Sequence, residues 1–173
     1  MFLERLMTTL ILFLTDLLLV RITRPGRREL RAAVKTALLT SAGDFIVEGF
    51  AGRLGLWEYD LPGSMVGLPV DLSPDIGLLS FAYCTGLAYV DRKPSSRCFR
   101  HAYLLGAMLA VGTEGWLKNA RVAGQGRISF AIDPESRPVL FAFCNYAVLS
   151  LFLLAVTAVF TIFVKRSDEG PEQ

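Results

Sequence analysis

The stretch VLFAFCNYAVLSLFLLAVTAVFTIFV, Val139 to Val164, runs its whole length without a charged residue. A helix of about 20 apolar residues crosses the hydrocarbon core of a bilayer, so this run reads as a membrane span. Working outward from it, four more apolar segments lie at roughly 6–22, 33–52, 72–90 and 102–120, the second and fourth being the least apolar. In lipid every backbone N–H and C=O has to be satisfied internally, which for runs of this length means helices. The chain has 173 residues, 53% of them hydrophobic, and its mean hydropathy is positive. That leaves room for four or five spans and short loops, but not for a separate soluble domain. The expectation is an all-α integral membrane bundle of about five transmembrane helices. Residues 1–166 form one transmembrane domain, and 167–173 form a disordered cytoplasmic tail. The first run, LMTTLILFLTDLLLVRI, follows Glu4 and Arg5 and has no small-residue cleavage site, so it reads as a retained span and not a signal peptide.

The basic residues orient the chain. Its formal net charge of +2 is too small to suggest nucleic acid. Arg21, Arg24, Arg27, Arg28 and Arg31 follow the first span, Arg92, Lys93, Arg97 and Arg100 follow the third, and Lys165 and Arg166 follow the last. Cytoplasmic loops carry the excess of Lys and Arg. The expected location is therefore a bacterial-type inner membrane, multi-pass, with the amino terminus outside and the carboxyl terminus cytoplasmic. The 55–71 and 121–137 loops then face outward, although the second carries three arginines, Arg121, Arg127 and Arg137. Cys84, Cys98 and Cys144 are scattered and share no ligand spacing with His101, the only histidine, so no metal site is expected.

Charged side chains inside spans are costly and are functional candidates by default. In GDFIVEG, Asp44 and Glu48 stand four residues apart, on one face of a helix. Two like charges so close do not both ionise readily, so one of them is expected to hold a proton near neutral pH. The segment GLWEYDLPGSMVGLPVDLSPD, Gly55 to Asp75, adds Asp71 and Asp75 at the entrance of the third span, with Trp57 and Tyr59 nearby. Glu114 and Trp116 fall in the outer half of the fourth span, and Asn145 and Tyr146 in the outer half of the fifth. Polar groups from four helices at one depth predict a shared pocket. The tryptophans also fit an interfacial aromatic belt, and Glu114 also fits a salt bridge to Lys118 four residues on. Asp16 stands alone in the first span, where an arginine is its expected partner.

No nucleotide, serine-hydrolase or zinc-protease motif is present. GDFIVEG, GLWEY, GLPVDLSPD, TEGW and NY, in that order, resemble the motif order of the lycopene cyclase domain and of the carotenoid hydratase that acts on bacterioruberin precursors. A poorly characterised family of short bacterial membrane proteins is more similar still. The resemblance spans about Asp44 to Tyr146, and this chain departs from the cyclase pattern where LPVDLSPD replaces paired glutamates. It implies a membrane-bound enzyme, an isomerase or lyase, that needs no cofactor and performs proton-initiated carbocation chemistry on an isoprenoid: cyclisation, isomerisation or hydration. The residues suit that work. Glu48 or Asp71 is the expected acid and Glu114 or Asp44 the terminating base. Trp57, Tyr59 and Trp116 would line the cation's path, with Asp75, Asn145 and Tyr146 completing the substrate site. Expected partners are the lipid-like substrate and membrane lipids, with homo-oligomers admitted. Two other readings stand beside it: a small proton- or cation-coupled transporter or channel, and a non-catalytic subunit that binds a lipid or a partner protein. The inner halves of spans three to five are nearly free of charge, which favours a one-sided pocket over a continuous conduit.

Overall fold

In an apolar helix threonine hydroxyls need an acceptor, and here they take the carbonyl four residues back. Thr15, Thr23, Thr36, Thr85, Thr113, Thr157 and Thr161 bond to Ile11, Leu19, Ala32, Phe81, Leu109, Leu153 and Thr157 respectively, at 2.7–2.8 Å. Threonine is thereby tolerated inside long helices in a computed structural model of the chain, whose described residues are 2–59, 73–124, 126 and 128–166; the side chains at 2–6, 8, 48, 57–59, 73–74 and 128 lie outside that description. The helices are α1 (Phe2–Thr23), α2 (Arg27–Arg53), α3 (Ser73–Asp91), α4 (Ser96–Gly124) and α5 (Pro138–Arg166). The fold is all-α, with the five helices at the positions of the five apolar runs, each extended at its ends.

Local signals set the boundaries. α1 stops at Arg24, whose φ of 46° is left-handed, and Pro25 follows. At the start of α2 the Glu29 carboxylate accepts the Gly26 N–H at 2.8 Å. α2 ends in a Schellman motif. Gly55, at φ +64°, donates its N–H to Gly52 and Leu56 donates to Ala51, supplying the last carbonyls with partners. Ahead of α5 the Asp133 carboxylate accepts the N–H groups of Glu135 and Ser136, which holds it below the usual carboxylate range.

α3 is the axis of the bundle, packing against α1, α2, α4 and α5; α5 also packs on α2 and α4, while α1 packs on α3 alone among the described elements. The core sits in the half nearer the basic end. There Ala32 and Ala33 of α2 meet Tyr83, Cys84, Leu87 and Ala88 of α3 and Leu153, Val156 and Phe160 of α5. Two short strands were not expected. β1 (Trp57–Tyr59) pairs antiparallel with β2 (Ile128–Phe130), Trp57 opposite Phe130 and Tyr59 opposite Ile128, and Ala131 N–H extends the ladder to Leu56 O. This ties the segment after α2 to the segment after α4 at one end of the bundle, the end expected to face outward.

Around the bundle, all five helices expose large apolar side chains, among them Ile11, Leu38, Leu79, Leu105 and Leu151. Among the described residues, only α5 is both long and apolar enough to count as a membrane span by length and composition.

Candidate functional site

At the end that carries the strand pair, α2 and α3 run antiparallel and very close. A Cβ on Gly77 of α3 would collide with the Ser41 hydroxyl and lie 3.2 Å from the Ala37 carbonyl oxygen of α2. That contact fixes the register: Asp44, three residues beyond Ser41, stands level with the first turn of α3, where Asp75 lies. Asp75 is half-buried, and its Oδ1 accepts the hydroxyl of Thr9 from α1 at 2.7 Å. Three helices thus bring Thr9, Ser41, Asp44 and Asp75 to one level. Glu48 lies one turn further out on α2, with its side chain outside the described set. Asp71 is outside the described residues, as are the side chains of Trp57 and Tyr59, whose backbones form β1.

The polar groups of α4 and α5 form a different arrangement. Asn119 donates to the Asn145 side-chain oxygen at 2.7 Å, and Asn145 in turn donates to the Phe141 carbonyl at 2.9 Å. The Tyr146 hydroxyl is hydrogen-bonded to Thr113, and its ring fills the space that a Cβ at Gly112 would need. Asn145 and Tyr146 are therefore hydrogen-bonded within the α4–α5 seam. Trp116 is half-buried beside them, whereas Glu114 is exposed and, among the described residues, has no ion pair with Lys118 or any other group. The single pocket expected from four helices resolves into an α1–α2–α3 carboxylate cluster and an α4–α5 hydrogen-bonded seam.

The basic end holds residues that sequence reasoning treated only as topology signals. Arg92 donates to Ala88 O, Arg24 O and Thr23 O at 3.2, 3.0 and 2.6 Å and lies 3.8 Å from Glu29. One guanidinium thus joins the ends of α1 and α3 to the start of α2. Arg28 donates to Val164 O of α5, and Arg100 of α4 bridges Asp91 and Thr161, each at 3.2 Å. Partial burial raises the Asp91 carboxyl above its ordinary value, against the pull of Arg100. The spacing of arginines beside helix ends was the available signal, since guanidinium groups suit the unsatisfied last carbonyls of a helix. Thr9 was legible only in retrospect: with Asp16 and Thr23 it makes a seven-residue polar repeat along a mainly apolar helix.

Fold and site together define an all-α bundle with a carboxylate cluster at one end and a basic network at the other. No family model matches the chain, and no curated protein and no solved structure matches it.

Proposed function

We propose that the chain is a multi-pass bundle of the cell membrane, with its amino terminus outside and its basic end cytoplasmic, that performs proton-initiated chemistry on an isoprenoid at the outer mouth of the α1–α2–α3 cluster. Two features support the membrane reading. Apolar side chains face outward on all five helices, which a water-exposed surface disfavours, and the clustered arginines share one end. The observation that carries the chemistry is the gathering of Asp44 and Asp75, with Thr9 and Ser41, at the start of α3. A proton held by one carboxyl is available to an alkene, the resulting carbocation is stabilised by aromatic faces and by the second carboxylate, and that carboxylate removes a proton to end the reaction. Thr9 positions Asp75 by donating its hydroxyl to one of the carboxylate oxygens. Glu48, one turn further out, stands at the mouth.

The transporter reading keeps support from a specific observation. Behind the cluster the interior carries polar groups as far as the basic end: the Tyr83 hydroxyl bonds to Thr157 at 2.7 Å, Tyr103 donates to Tyr83 O at 3.0 Å, and Arg100 reaches Thr161. Expression in a bacterium that makes linear isoprenoids, with lipid extracts compared by mass spectrometry, separates the two. The enzyme reading predicts a product of unchanged or water-shifted mass that disappears with Asp75→Asn, Asp44→Asn or Glu48→Gln. No new product from native protein that is folded in the membrane would shift the assignment to transport or to partner binding.

A further inference from the structure

Asp16 is 4% exposed in the middle of α1, and its Oδ2 has no hydrogen-bond partner among the described residues. The arginine expected beside it is not there. Among the described elements α1 packs on α3 alone, and two contacts set the register of that seam. Thr9 meets Asp75, and the carbonyls of Thr23 and Arg24 meet Arg92. Asp16 lies seven residues after Thr9 and seven before Thr23. Ala82 lies seven after Asp75 and Thr85 seven before Arg92. The same two turns of helix therefore bring Asp16 to the level of the Ala82–Thr85 turn of α3.

The chemistry offered at that level is one-sided. Thr85 is 1% exposed and has already given its hydroxyl hydrogen to Phe81 O at 2.8 Å, so its oxygen can only accept. A carboxylate there would need several donors, and the buried Ser80 hydroxyl of α3, also without a hydrogen-bond partner among the described residues, makes no bond to it, whereas a carboxylic acid has one O–H to give. The charged and titratable groups of α3 are all engaged elsewhere. Asp75 and Arg92 each lie about 10 Å along the axis, seven residues at 1.5 Å, and are bonded to Thr9 and to backbone carbonyls. Tyr83 is turned to Thr157 of α5 and Cys84 to Thr36 of α2, Tyr89 is exposed, and Asp91 pairs with Arg100. We infer that Asp16 is a proton-binding site of the α1–α3 seam, carrying its proton when α1 is docked and losing it only when α1 moves off α3. Because α1 also carries Thr9, a proton on Asp16 seats the residue that positions Asp75.

The test uses the full chain in lipid vesicles. Infrared difference spectra between native protein and Asp16→Asn at pH 7 should contain the carbonyl band of one protonated carboxyl. The thermal midpoint of the native protein should fall as the pH rises from about 5 to about 7, where the undocked carboxyl has lost its proton and the docked one still holds it, while Asp16→Asn, a permanently neutral near-isostere, lacks that fall. Asp16→Ser, smaller and also neutral, provides the same comparison should the asparagine variant fold poorly. A difference spectrum without the band, or native and neutral variants with parallel pH profiles, would overturn the assignment. A role limited to packing would shift the midpoint equally at every pH.

Discussion

Replacing Arg92 with leucine should release the inner end of α1 and lower stability by about 2 kcal/mol, in the range for hydrogen bonds made by a charged donor. The figure is modest for so many bonds because the guanidinium is 40% exposed and water recovers part of the loss. Its consequence is local. The last carbonyls of α1 lose the donor that serves them, Arg24 remains in a left-handed conformation that an arginine adopts only under constraint, and among the described elements α3 is the one helix on which α1 packs. Trypsin digestion of protein in detergent should therefore cut after Arg21 at least ten-fold faster in Arg92→Leu than in native protein, the Arg24–Pro25 bond being resistant to trypsin, ten-fold corresponding to about 1.4 kcal/mol of opening free energy. Arg92→Lys, which retains charge but not the fork of donors, should fall between them. Equal cleavage rates in all three would mean that the guanidinium contributes nothing to the seating of α1.

Gly77→Leu should be the most damaging substitution in the α2–α3 seam, costing about 3 kcal/mol or more, at the upper end for overpacking. Gly77 is buried, and any side chain there meets the Ser41 hydroxyl first and then the Ala37 backbone oxygen, which cannot rotate away. α2 has to withdraw from α3, carrying Asp44 away from Asp75. A control lies on the partner helix: Gly43 has nothing within 4 Å of its Cβ position, and Gly43→Ala should stabilise by about 0.5–1 kcal/mol through helix propensity alone. Thermal unfolding in detergent separates the two glycines by sign, since both are helical and only their surroundings differ. Gly77→Leu unfolding at the native midpoint would contradict the packing described here.

The five helices were legible because Pro, Gly and clustered arginines bound each apolar run, as in TRPGRRELR between α1 and α2 and DRKPSSRCFRH between α3 and α4. Which face each helix turns inward was not. Where apolar side chains lie on the outer surface as well as in the core, periodicity carries little information about packing, so the α1–α3 and α4–α5 seams had to come from the structure. The strands were illegible for another reason. WEY and ISF are three residues each and pair across more than sixty positions, and neither has alternation long enough to read. Of the expected site, Asp44 and Asp75 come to one level along the bundle because antiparallel α2 and α3 meet at Gly77. Depth alone does not reveal that Asn145 and Tyr146 are hydrogen-bonded to Asn119 and Thr113. Asp16 was the residue with the weakest sequence account, and burial without a partner is what gives it one.

The claim on which the rest depends is that the carboxylate cluster and the arginine network lie on opposite sides of a membrane. The chain carries its own probe at the basic end, since Cys98 is exposed in the first turn of α4. At the other end Glu135 is exposed in the turn before α5, and Glu135→Cys in a Cys98→Ser background supplies the matching probe. With a membrane-impermeant maleimide on intact cells, Glu135→Cys should label fully and native Cys98 only after the membrane is opened. Labelling of Cys98 in intact cells, or recovery of the protein in the soluble fraction, would contradict the account.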